Sequence, residues 1–192
     1  EFISHFGVCK EAVLWFGPTR WQKRWATLFF RALCGEYQGP GPTASYVADG
    51  DDDSSPLGPL TAGQVLYEPD CALIRAGCLA GLCRRLGAHL FDPEIAYLVS
   101  DRLDLTPRAR TSPAQPSLAQ AFLVEEVHPF SLKLLNRRLQ ALGIDSVELK
   151  KRGFPQEPES LRPRLKLTRG GREAVIIFTR CGDDHLMILA HR

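Results

Sequence analysis

Ala174-Val175-Ile176-Ile177-Phe178 is an unbroken apolar run of strand length. A strand with one wet face alternates apolar and polar residues, so a continuous run belongs in a sheet interior, covered on both faces. Working outward, the turn Cys181-Gly182-Asp183-Asp184 leads into residues 186–190 and makes a terminal hairpin. Upstream, residues 146–150 alternate, with Val147 and Leu149 on one face and Glu148 and Lys150 on the other. Before them, Leu132, Leu135, Leu139 and Leu142 recur at helical spacing and stop at Gly143. Residues 121–127 read as a further strand, and a short helix is expected over 159–165 within a Pro-rich passage. The order β-α-β-α-β-β defines an α+β class, a small mixed sheet with helices on one face.

The rest of the chain is less regular and reads as a β-rich and helical connecting segment. Ala12-Val13-Leu14-Trp15-Phe16 and Ala26-Thr27-Leu28-Phe29-Phe30 are expected to be buried strands, paired as a hairpin across Gly17-Pro18. Residues 39–63 shift to Gly, Pro, Ser and Asp and read as an exposed loop or linker. Asp70 is placed to cap a helix whose face carries Cys71, Ile74, Cys78, Leu82 and Leu86 and which ends at Gly87. A short element over 95–99 precedes a second polar, Pro-containing stretch, 101–117. The expected division is therefore 1–38, 39–63, 64–117 and 118–192.

In 192 residues at 44% apolar content there is enough material for one large or two small cores. No stretch approaches the ~20 consecutive apolar residues of a membrane span, and no signal-peptide pattern opens the chain. It begins at Glu1 and its one methionine is Met187, so a start inside a longer protein is expected. The six cysteines show neither paired CxxC spacing nor disulfide-scaffold density, which points to reduced thiols in the cytoplasm and to no metal. The net charge of +2 is unevenly spread: residues 131–180 hold twelve Lys or Arg against five Asp or Glu. Such asymmetry is a pointer to nucleic acid, although solvated basic faces also produce it.

Three stretches carry a resemblance to a known family. They are Lys10-Glu11-Ala12-Val13-Leu14-Trp15-Phe16-Gly17; Tyr67-Glu68-Pro69-Asp70 with Leu73-Ile74-Arg75-Ala76-Gly77 and residues 92–98; and residues 124–130, the leucine helix, Glu148-Leu149-Lys150-Lys151-Arg152-Gly153 and Ile177-Phe178-Thr179-Arg180. Together they resemble the C-terminal part of the S-adenosylmethionine-dependent methyltransferases that end in a THUMP-like domain. The resemblance implies a Rossmann-like domain binding S-adenosylmethionine elsewhere in the full-length protein. That cofactor needs a Gly-containing loop after a first strand and an acid after a second, and this sequence offers neither. Residues 1–38 are then the closing strands of the methyltransferase-like domain, 118–192 the THUMP-like domain, and the missing N-terminal domain a packing partner. No cofactor is expected in this piece.

The candidate RNA-binding residues follow from charge. Lys150, Lys151 and Arg152 end a strand before Gly153, where three cations and accessible backbone can meet a phosphate; a solvated turn accounts for them equally. Lys133 and Arg137, four apart on the leucine helix, with Arg138 beside them, extend a basic face if that helix packs near the strand end. Arg162, Arg164, Lys166, Arg169 and Arg172 continue it only if the fold allows. Phe154, beside the basic turn, is placed either to stack on a base or to plug the sheet. Glu68, Asp70 and Arg75 are explained by capping and pairing, and no nucleophile stands beside His128, His185 or His191 to make a catalytic site. The function expected is substrate recognition of structured RNA, with a protein-interaction module as the alternative.

Overall fold

In the computed structural model, which describes residues 1–5, 8–14, 25–29, 44–47, 54–101 and 118–192, four short strands open the chain. They are β1 (Phe2–His5), β2 (Val8–Ala12), β3 (Trp25–Phe29) and β4 (Ala44–Val47), in the order β2-β1-β3-β4. The strand expected over 26–30 is present as β3, with Ala26 fully buried. The hairpin is a different one. It joins β1 to β2, closed by reciprocal main-chain bonds between Glu1 and Val13, while β3 pairs parallel to β1 and antiparallel to β4. Leu14, expected in a buried strand, lies past the end of β2 and is 80% exposed. An apolar pentapeptide marks a strand without marking its partner, which is set by hydrogen bonds to distant backbone. The readings at Trp15, Phe16 and Phe30 and over 102–117 lie outside the described residues. Residues 44–47, expected in a loop, form a strand paired on one side.

The chain divides into two units. The first comprises Glu1–Pro56, Tyr67–His89 and Asp104–Gln120; the second comprises Leu57–Leu66, Leu90–Leu103 and Ala121–Arg192. After β5 (Val65–Pro69), the helix expected over 71–86 is two helices, α1 (Cys71–Arg75) and α2 (Leu79–Leu86). Asp70 caps α1 as expected, its carboxylate accepting from the Ala72 amide at 2.8 Å, and α1 packs on β1, β2 and β3. The break falls at Gly77, whose φ of 73° lets the Cys78 amide turn back to the Leu73 carbonyl at 3.0 Å. The restart changes the buried face: of the expected stripe Cys78 and Leu82 are buried, while Cys71, Ile74 and Leu86 are half-buried and Ala72, Leu73, Ala80 and Cys83 point inward beside them. Gly87 ends α2 in the left-handed conformation.

The remaining elements are β6 (His89–Leu90), β7 (Leu98–Ser100), β8 (Ala119–Pro129), α3 (Leu132–Ala141), β9 (Ile144–Lys151), α4 (Pro158–Leu161), β10 (Arg172–Cys181) and β11 (Asp184–His191). The last six follow the β-α-β-α-β-β order, and the fold is α+β. The sheet has seven strands, β6-β7-β5-β8-β11-β10-β9, mixed because β9 runs parallel to β10. β10 is interior, flanked by β9 and β11, and its residues alternate between two cores. Ala174, Ile176 and Phe178 join Leu135 and Leu139 of α3 and Leu161 of α4. Val175 and Ile177 join Leu66, Tyr97, Phe122 and Val124 on the opposite face. Double coverage is what the continuous apolar run required.

β9 is a sheet edge, and the chain after α4 covers it. The Arg162 guanidinium donates to the Val147 carbonyl at 3.2 Å, and the Thr168 amide donates to the Ile144 carbonyl at 2.7 Å. Edge carbonyls that would template pairing with another chain are thereby occupied. Gly171 lies so close to the turn after α3 that an added Cβ would sit 1.9 Å from the Gly143 carbonyl oxygen.

Candidate nucleic-acid interface

Residues 150–152 continue β9 into its end, so their side chains alternate between the two faces. Lys150 and Arg152 take the face opposite α3. The Lys150 ammonium stands 5.3 Å from the centroid of the Phe122 ring and 3.3 Å from the Glu148 carboxylate, and its side chain is only 15% exposed. The Arg152 guanidinium lies 4.9 Å from the centroid of the Tyr97 ring. Both cations thus lie over aromatic rings of the core, where such contacts contribute ~0.5–2 kcal/mol. Lys151 points the other way and pairs with Glu157. The three charges expected to leave the sheet together are divided by the pleat and engaged within the protein. Phe154 is 5% exposed; it stacks on Phe178 with centroids 5.3 Å apart and meets Phe130 and His185 edge-on. A ring held there presents no face to a base.

α3 splits the other basic cluster. Ser131 caps it, its hydroxyl accepting from the Leu134 amide at 3.3 Å, and Leu135 and Leu139 face the core. Arg138 emerges on the flank toward β8, where its Nε donates to both oxygens of Glu126 at 3.2 and 2.9 Å and its Nη2 adds a third bond. His128 also meets Glu126, at 2.9 Å. The Arg138 bonds hold the Glu126 carboxyl below the usual carboxylate range against the opposing pull of burial. Lys133 and Arg137 lie on the outer face, exposed.

The same pairing recurs through the second unit. Arg172 donates to both Glu125 oxygens at 2.6 and 2.7 Å, and His191 shares that carboxylate. Arg162 pairs with Glu159, Arg180 with Glu94 and Arg192 with Glu148. Lys133, Arg137, Arg164, Lys166 and Arg169 differ: they are exposed and, among the described residues, no carboxylate pairs with them. Four of these five are gathered by Asn136. Its Nδ2 donates to the Arg164 carbonyl at 3.0 Å, and its Oδ1 accepts from the Lys166 amide at 2.8 Å. Sequence reasoning named the cations but missed this asparagine. Its signal was an amide in mid-helix, where asparagine is a poor helix former and its presence points to a side-chain task.

Other chemistry is sparse. A cleft of about 420 Å³ at the ends of β9, β10 and β11 is lined by Ser146, Glu148, Glu173, His191 and Arg192, among others, mixing both signs of charge. Among the described residues no group of His, Cys, Asp or Glu can hold a metal ion, and no helix is long and apolar enough to cross a membrane.

A family model described as THUMP domain-like matches residues 119–192, the stretch from β8 to the end of the chain. Over these residues the chain is similar to THUMP-like domains. Beyond that domain, the chain is 35% identical over 186 residues to an uncharacterized S-adenosylmethionine-dependent methyltransferase of Mycobacterium tuberculosis, the same in each of two strains. That similarity takes in 97% of this chain and 45% of the relative, so the chain is similar to that protein almost throughout and spans about half its length. A solved structure of a candidate methyltransferase from Porphyromonas gingivalis shares the fold, with a TM-score of 0.55 at 23% identity over 85% of this chain and 37% of that one.

Among the described residues, the strand-to-helix junctions do not offer the glycine loop that S-adenosylmethionine needs. The direct strand-to-helix junctions are β5 to α1, where Asp70 spends its carboxylate on its own helix, and β8 to α3, through Phe130 and Ser131. Neither carries a glycine. Gly153, before α4, is pressed against the side chains of Ile95 and Arg180. The Gly-containing phosphate or cofactor loop of a Rossmann-like fold is absent from these junctions.

Proposed function

We propose that this chain is the substrate-recognition and connecting portion of a cytoplasmic S-adenosylmethionine-dependent methyltransferase acting on RNA, in which the THUMP-like domain contacts a folded RNA. Cofactor binding and methyl transfer belong to another part of the longer protein, against which this portion packs. The observation that carries the reading is the selective pairing of charge: the carboxylates of the domain take up Arg138, Lys151, Arg162, Arg172 and Arg192, while Lys133, Arg137, Arg164, Lys166 and Arg169 have no carboxylate partner among the described residues. Uncompensated surface cations repel one another, and a polyanion relieves that repulsion.

An interaction module without nucleic-acid binding would present an apolar patch. Among the described residues the exposed large apolar side chains are Val8, Leu14, Leu57 and Leu167: none lies on α1 or α2, while Val8 on β2 and Leu14 just past it lie at the first strands, where that reading also expects a patch. Fluorescence anisotropy of the chain with structured RNA, single-stranded RNA and duplex DNA, at low and high salt, tests the proposal. Preferential, salt-sensitive binding of structured RNA is expected; failure to bind any of the three at low salt overturns it.

A further inference from the structure

We infer that the THUMP-like domain grips the phosphate backbone of its RNA on one strip, the outer face of α3 together with the segment 164–166, with Lys133, Arg137, Arg164 and Lys166 as the contacting cations. This rests on the RNA reading above. Three features build the strip. Asn136 bonds only to main chain, so it fixes the backbone of residues 164 and 166 beside the helix and leaves both side chains free. Leu165, between them, is half-buried against the core cluster that holds Phe154 and Leu161, while Arg164, the last residue of a 3-10 turn over Arg162–Arg164, and Lys166 are both exposed. On α3, at about 100° per residue, Lys133 lies ~60° and Arg137 ~100° around the helix from Asn136, on the side away from the core and from Arg138.

The arrangement favours phosphate over base as the ligand. The aromatic residues of the sequence from 130 to 180, Phe130, Phe154 and Phe178, are packed on one another and offer the strip no stacking platform. Contacts of this kind position a nucleic acid without reading its sequence. Asn136 touches no ligand in this scheme; it is a positioning residue. The turn at 150–152 is not part of the strip, because two of its cations lie over Phe122 and Tyr97 on the other face of the sheet.

The test compares three forms of the chain with wild type, each checked for its native circular dichroism spectrum and unfolding midpoint. The strip variant carries Lys133→Ala, Arg137→Ala, Arg164→Ala and Lys166→Ala. The control carries Lys151→Ala, Arg172→Ala, Arg180→Ala and Arg192→Ala, which removes the same charge from paired positions. The third is Asn136→Ala. Binding to one structured RNA is followed by anisotropy across salt concentrations, beside poly-glutamate as an acidic polypeptide. Neutralising four phosphates contributes about −3 to the slope of log affinity against log salt, on the order of a thousandfold in affinity at 0.1 M salt relative to 1 M.

The strip variant is expected to lose that slope and that affinity, the control to lose less than a tenth as much, and Asn136→Ala to weaken binding several-fold with its slope nearly intact. A strip variant that binds like wild type overturns the inference while leaving the RNA reading standing, as does a control that loses as much as the strip. Wild type that binds no RNA removes the reading itself. Equal affinity for poly-glutamate at matched salt assigns the strip to an acidic protein and overturns the assignment to RNA.

Discussion

Replacing Phe154 with alanine distinguishes a ring that holds the domain together from one that awaits a base. The side chain is 5% exposed, so nearly its whole transfer free energy is at stake, and its neighbours Phe178 and His185 on the sheet and Phe130 in the connection from β8 to α3 cannot easily collapse inward. Truncations of this kind cost about 3–5 kcal/mol, against a total stability of ~5–15 kcal/mol for an ordinary domain. With a urea dependence of ~2 kcal/mol per molar, the midpoint should fall by about 2 M. Phe154→Leu keeps most of the volume and should cost under ~2 kcal/mol. Equilibrium urea unfolding followed by far-ultraviolet circular dichroism measures both. If the alanine variant unfolds at the wild-type midpoint but binds RNA tenfold more weakly, the core assignment is wrong and the ring is a stacking surface.

Further outcomes follow from the same geometry. Gly171→Ala should destabilise by more than ~2 kcal/mol in urea unfolding, because its Cβ would meet the Gly143 main chain at 1.9 Å, whereas Gly182→Ala, with open space around it, should cost only the strain of its positive φ. Acid should weaken the native state through Glu125 and Glu126, whose carboxyls are held low chiefly by hydrogen bonds from Arg172 and Arg138. The native chain then binds fewer protons than the unfolded one. Stability from this source is complete above the unfolded carboxylate range of about pH 4.3 and is lost as pH falls through the lower folded values. A double Glu125→Gln, Glu126→Gln variant should flatten that part of the acid-unfolding curve. The Cys71 thiol, pushed up to about 11 by burial and then by Asp70, should alkylate slowly at pH 8, and peptide mapping that finds it among the fastest-labelled thiols would contradict its placement.

How much was legible can be judged element by element. The runs 174–178 and 186–190 announced β10 and β11 because an unbroken apolar stretch has few other homes, and the leucine spacing announced α3 because helical period and a terminal glycine are local properties. The hairpin at the start was misassigned because Phe2–His5 carries no distinctive pattern and its partner is chosen by distant backbone. Gly77 broke a helix whose apolar spacing runs through it, since a single left-handed residue redirects the chain whatever the spacing beyond.

The sequence by itself determined the order of the last six elements, the α+β class, the cap at Asp70 and the basic excess of residues 131–180. Only the tertiary structure decided which of those charges are available. Arg172 meets Glu125 across 47 residues and Arg180 meets Glu94 across 86, while Asn136 reaches 28 and 30 residues to Arg164 and Lys166. Periodicity and capping act within a few residues and leave their mark on the sequence. Charge pairing acts through space, so a cation committed to a carboxylate and one left for a ligand look alike until the chain is folded.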